Sequence, residues 1–93
     1  MKKVTFIIPC YNEIKTVKKI IKKILILKGI RKEIIVVDDH STDGSREVII
    51  EFQKLKKIKA IYHKKNSGKG ACIKSAQKKI TGDIVIIQDA DLE

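Results

Sequence analysis

Four short apolar runs, each closed by a polar turn, limit what this sequence can become. The second and fourth, Glu33-Ile34-Ile35-Val36-Val37 and Ile84-Val85-Ile86-Ile87, constrain it most. They are β-branched and nearly unbroken, without the alternation of a strand wetted on one face. Such runs fit strands buried on both faces of a parallel sheet. Val4 to Ile8 and the weaker Lys59-Ala60-Ile61-Tyr62 supply strands one and three. Between the runs, apolar residues return at helical spacing. Ile14, Val17, Ile20, Ile21, Ile24 and Leu25 predict a first helix, with Asn12 as its N-cap and Gly29 as its stop. A second helix is expected from about Asp43, burying Val48, Ile49 and Phe52, with Leu55 beside them. A third is expected after Gly70, with Ile73, Ala76 and Ile80 inward, ended by the turn Thr81-Gly82-Asp83. Strand–helix alternation at these lengths means right-handed crossovers, so the expected class is α/β, a parallel sheet with helices on both faces.

That topology says where to look for chemistry, because open α/β sheets bind ligands beyond the carboxyl ends of their strands. Every polar cluster of this sequence sits at such an end. After run four come Asp89-Ala90-Asp91, two carboxylates one residue apart. In an extended segment residues two apart share a side, so both acids can aim at one point, and hard oxygen ligands there suit a divalent cation carrying a diphosphate. After run two come Asp38-Asp39-His40-Ser41-Thr42-Asp43-Gly44. Ser41, Thr42 and Asp43 are good turn formers, but paired acids directly behind four aliphatics are more than a turn needs. A carboxylate there can accept the imino N–H of a uracil or guanine ring. Pro9-Cys10-Tyr11-Asn12-Glu13 follows run one and can be read as a plain turn and cap, or as a wall for a base with Glu13 accepting from ribose hydroxyls. Asn66-Ser67-Gly68-Lys69-Gly70 can be a helix-entry loop or a phosphate contact. It is neither a Walker A loop nor a dinucleotide fingerprint, since Ile73 stands where the latter requires glycine.

Taken together, and in this order, the clusters closely resemble the nucleotide-sugar half of a family 2 glycosyltransferase of the GT-A fold. Ile7-Ile8-Pro9-Cys10-Tyr11-Asn12-Glu13 is similar to that family's opening motif almost letter for letter, and Asp89-Ala90-Asp91 to its DxD signature. The resemblance implies a Rossmann-like, incomplete GT-A domain over residues 1–93, with inverting transfer from a UDP- or GDP-sugar to an acceptor. It implies nucleotide contacts from Pro9, Tyr11, Glu13, Asp39, Lys69, Asp89 and Ala90. Mg2+ or Mn2+ would be held by Asp89, Asp91 and Glu93. Asp38 braces its loop in this reading. His40, where family members usually have glycine, receives no role. Leu92-Glu93 resembles the variant of transferases acting on polyprenyl phosphate, so a lipid-linked phosphate is the acceptor class hinted at.

The resemblance covers the whole chain but only the first half of the family's catalytic domain. An inverting transfer needs a general base or an ionised acceptor, and no residue is left for that role once Asp89, Asp91 and Glu93 are committed. The 93 residues alone are therefore expected not to turn over, and a truncated, non-catalytic nucleotide- or metal-binding module is the alternative. Strand four, ending near the last residue, is expected to leave an unpaired edge through which copies self-associate.

Other classes fit less well. The net charge of +10 raises nucleic-acid binding. Yet the cations are nearly all lysine, and Lys15, Lys18, Lys19, Lys22 and Lys23 fall on one presumed helix face. The aromatics, Phe6, Tyr11, Phe52 and Tyr62, are too scattered for a stacking platform, so no nucleic-acid partner is expected. A response-regulator-like chain would carry paired acids after strand one, where this one has Pro-Cys-Tyr-Asn-Glu. Cys10 and Cys72 form no CxxC pair, which fits a reduced, cytoplasmic setting. No apolar run approaches the ~18 residues of a membrane span, so any membrane association, at the cytoplasmic face, would come from further chain.

Overall fold

The computed structural model describes residues 2–91. Four strands and three helices alternate as β1 (Lys3–Cys10), α1 (Val17–Leu25), β2 (Arg31–Asp38), α2 (Ser45–Lys54), β3 (Lys59–Tyr62), α3 (Lys69–Gln77) and β4 (Ile84–Ile87). Every pairing is parallel, and the order across the sheet is β3-β2-β1-β4. Side chains of β1 and β2 alternate between two cores. Phe6, Ile8, Ile34 and Val36 pack with Ile20, Ile21, Ile49 and Phe52 of α1 and α2. Ile7, Ile35 and Val37 pack on the opposite face with Cys72 and Ala76 of α3. The α/β class with helices on both faces is as the sequence implies, and the lysines of α1 all lie on its exposed side.

Strand four departs from expectation. Ile34 to Val37 of β2 are fully enclosed, but Ile84, Val85, Ile86 and Ile87 are each 41–45% exposed. The two runs look alike as sequence, and position in the sheet separates them. β2 is flanked by two strands, whereas among the described residues β4 pairs only with β1 and belongs to neither apolar cluster.

The helix starts also differ. α1 begins at Val17, because the Glu13 carbonyl accepts the amides of Thr16 and Val17 at 3.1 and 2.8 Å in a preceding turn. Asn12 is no cap. It sits at φ 52°, and its Oδ1 accepts the Thr42 amide at 2.7 Å. Ile14 is left partly exposed, and α1 ends at Leu25, four residues short of Gly29. Leu55 lies past the end of α2 and is exposed. α3 begins at Lys69, and it buries Cys72 with Ala76, leaving Ile73 and Ile80 half-buried.

At the amino ends of the strands a polar cluster fixes the entry to β4. Glu33 accepts Thr5 Oγ1 at 2.6 Å, the Thr81 amide at 2.7 Å and Lys59 Nζ at 2.7 Å. Burial works to raise its carboxyl, but these donors prevail and hold it far below the usual carboxylate range. Beside it the Gly82 amide donates to Thr5 Oγ1, and the Asp83 amide to the Lys3 carbonyl. No described helix is long and apolar enough to cross a membrane.

Candidate functional site

The opposite, carboxyl ends of the strands carry the cleft. The sheet order steps from β1 outward to β3 and then returns to place β4 on the other side of β1. The segments leaving β1 and β4 thus part where such folds form their ligand crevice. The ladders continue one step past the strands. The Asp39 amide donates to the Cys10 carbonyl at 2.8 Å, and the His63 amide to the Asp38 carbonyl at 2.8 Å. Asp39 and His63 therefore stand in a row one step past the paired ends Cys10, Asp38 and Tyr62, at the sheet's upper edge.

Two loops are then stitched together above that row. Ser41 Oγ accepts the Asn12 amide and Ser45 Oγ the Glu13 amide, both at 2.9 Å. Asp43 Oδ2 accepts the Ile14 amide at 3.1 Å. Asp38, fully buried, braces the second loop by accepting the Ser41 amide at 3.2 Å and Arg46 Nε at 2.8 Å. A hydroxyl bond from Thr16 to the Ala90 carbonyl ties the start of α1 to the segment beyond β4.

The result is a cleft of about 280 Å³. Pro9, Cys10, Tyr11 and Glu13 line it from the β1 loop, Asp39 from the β2 end, Lys69 and Cys72 from α3, and Asp89, Ala90 and Asp91 from beyond β4. All the residues singled out in the sequence thus meet at one place, except Glu93, which lies outside the described residues. Tyr11 is half exposed at the rim, while Asp39 and Ala90 are buried. Lys69 Nζ is 2.8 Å from Asp89 Oδ1, both side chains being about half exposed.

Asp39 is heavily hydrogen-bonded. Its Oδ1 accepts His63 Nδ1 at 2.8 Å and the Ser67 amide at 2.9 Å, and its Oδ2 accepts the Gly68 amide at 2.8 Å. Burial acts to raise its carboxyl, but the bonds from His63, Ser67 and Gly68 outweigh it and hold the group below its ordinary value. Burial also dominates at the two thiols below. Cys10 is pushed up to about 12 and Cys72 to about 11, so both are inert protonated thiols near neutrality.

Two groups could be considered for a metal. Donor atoms of Asp39, His63 and Cys72 lie within 4.8 Å of one another. However, the carboxylate is already engaged by three N–H donors, and the thiol is strongly protonated. Asp89 and Asp91 fit better. Both line the open cleft, both offer hard oxygens, and Asp89 already holds a cationic ammonium.

Residues 5–93 match the model of the family described as glycosyl transferase family 2. The chain belongs to that family. Among family relatives, a poly-beta-1,6-N-acetyl-D-glucosamine synthase from Staphylococcus epidermidis is 34% identical over 95% of this chain and 21% of its own length. A dolichol-phosphate mannosyltransferase from Pyrococcus furiosus is 35% identical over 98% of this chain and 26% of its own. This glycosyl transferase family 2 chain thus spans about a quarter or less of the curated relatives it matches. In structure it is similar to a mannosyltransferase from Pyrobaculum calidifontis, solved in complex with GDP-Man and Mn2+. The TM-score is 0.87 at 29% identity, over 97% of this chain and 28% of that one. The fold is therefore the amino-terminal part of a GT-A fold.

Sequence reasoning passed over His63, Ser75 and Cys72. One signal was available for His63, which directly follows the third apolar run as the acids follow the second and fourth. Ser75 and Cys72 carry no such mark.

Proposed function

We propose that the cleft is the donor site of an inverting glycosyl transfer from a UDP- or GDP-sugar, assisted by Mg2+ or Mn2+. The observation that carries this reading is the convergence of three strand-end clusters, remote in sequence, on one cleft. Pro9 and Tyr11 flank the base, and Asp39 accepts its imino N–H. Glu13, with its amide fixed by Ser45, accepts from the ribose hydroxyls. Ala90, tucked into the core with its carbonyl bound by Thr16, sets the turn that presents Asp89 and Asp91. Lys69, at the amino end of α3, brings positive charge to the diphosphate where the helix dipole also favours anions. Asp89 and Asp91, with Glu93 as a further ligand, would hold the cation that neutralises the leaving diphosphate. The relationship to a dolichol-phosphate mannosyltransferase supports a lipid-linked phosphate as acceptor.

Calorimetric titration of UDP and GDP, each with and without Mn2+, tests this on the wild-type chain and Asp91→Ala. One nucleotide should bind in a Mn2+-dependent way, with affinity falling by about tenfold or more in the variant, a loss of about 1.4 kcal/mol. A folded wild-type chain that binds neither nucleotide overturns the reading. Binding without transfer to any acceptor makes the chain a nucleotide-binding module.

A further inference from the structure

Behind the cleft lies a three-residue relay of which the donor reading uses only the first member, Asp39. His63 follows β3, Ser75 lies in the middle of α3, and Asp39 follows β2. His63 Nδ1 is 2.8 Å from Asp39 Oδ1, and its Nε2 is 2.8 Å from Ser75 Oγ. The order Asp–His–Ser is that of a nucleophile triad, where the chain of bonds ends on a serine facing substrate. Here it runs the other way. Asp39 lines the cleft and Ser75 does not, so the end that meets a ligand is the carboxylate.

The hydrogen bonds fix proton positions. An ionised carboxylate only accepts, so Nδ1 of His63 carries the proton it shares with Asp39. In the neutral ring Nε2 then accepts the Ser75 hydroxyl. The imidazole is clamped at both nitrogens and its side chain is only 13% exposed. Around the carboxylate, His63, Ser67 and Gly68 provide three N–H donors for about four lone-pair sites. The Cys72 sulfur, within 4.8 Å of an Asp39 oxygen, also lines the cleft. Asp39 is thus held against rotation by donors on both oxygens while it lines the space where a ligand would sit.

We propose that His63, clamped by Ser75, is a positioning residue that fixes the Asp39 carboxylate and thereby the preference for nucleobases bearing an imino N–H. This rests on the reading of the cleft as a nucleotide site. Uracil and guanine present that hydrogen to the acceptor. Cytosine presents a ring nitrogen, which meets the carboxylate lone pair for lone pair. Without the imidazole the carboxylate can turn, and its alignment with the base is lost although the acid remains.

The test is calorimetric titration of UDP, GDP and CDP, with Mn2+, into wild type, His63→Leu, His63→Asn, Ser75→Ala and the same changes in an Asp39→Asn background. Far-UV circular dichroism checks folding. His63→Leu should weaken binding of the preferred nucleotide by about tenfold and narrow its margin over CDP. His63→Asn, whose amide places an N–H where Nδ1–H stood, should recover to within about threefold of wild type. In the Asp39→Asn background His63→Leu should cause no further loss. Unchanged affinity and selectivity in folded His63→Leu overturns the proposal, as does an equal loss with and without Asp39. If His63→Leu does not fold, Ser75→Ala decides, with a loss of about threefold expected only when Asp39 is present. A wild-type chain that binds no nucleotide removes the donor-site reading and this proposal together. Binding by wild type with indifference to His63 removes this proposal alone.

Discussion

Glu33 shows how one residue can carry a pH dependence for the whole chain. Its carboxylate, fed by Thr5, Thr81 and Lys59, titrates far below an unfolded glutamate. Stabilisation from such a group is complete above the unfolded value of about 4.3 and drains away as pH falls toward the folded value. Urea unfolding at pH 7 should find Glu33→Gln less stable than wild type by about 2 kcal/mol, the range of hydrogen bonds to a charged group. The gap should shrink steadily as pH is lowered from about 4.3 to 3. A gap independent of pH would show that the amide loses packing and not charge. At this scale the sequence was most legible where chemistry is concentrated. Paired acids after an aliphatic run announced Asp39 and Asp91, because no turn requires them. His63 and Ser75 stayed hidden because single polar residues acquire meaning only from what the fold sets opposite them.

Among the elements, β4 is held at its entry and bare along its length. Gly82 sits so close to β1 that a Cβ there would clash with Thr5 Oγ1 and lie 2.9 Å from both the Lys3 carbonyl oxygen and the Thr5 amide nitrogen. Two of those neighbours are backbone atoms and cannot swing aside. Gly82→Ala should lower stability by about 2 kcal/mol, with the loss read as a reduced urea midpoint at unchanged slope. The β4 amides should also lose hydrogen-exchange protection before those of β2 in that variant. Strand existence and order of elements were readable from the apolar runs. The burial of β4 was not, because an edge strand and a central one can share the same β-branched sequence. The start of α1 escaped for a related reason. Asn12 has the chemistry of a cap, but its side chain is drawn to the Thr42 amide, a partner no local pattern reveals.

For the molecule as a whole, four adjacent exposed aliphatics make the outer strand β4 an apolar border. Among the described residues no strand pairs with the outer edge of β4, and each of its side chains is more than two-fifths exposed. Edges of this kind recruit other chains. Sedimentation equilibrium should show the average mass of the 93-residue chain rising with concentration, and Ile86→Lys should suppress the rise by placing a charge on that border. A mass that stays monomeric across the range would mean that the lysine-rich surface already keeps copies apart. The +10 charge makes added salt a useful second variable, since screening should favour association.

The sheet order also sets a sequence of events in time. β1 leaves a ribosome before either of its two neighbours, and β4 follows much later than β2, so that the Lys3–Asp83 bond joins residues 80 apart. β2 can join β1 early, leaving the other flank of β1 waiting until β4 is made. Long-range parallel pairing of this sort is slow. A nascent chain therefore holds a half-finished sheet until β4 emerges, and its cleft, bounded by the segments after β1 and β4, cannot take shape before then.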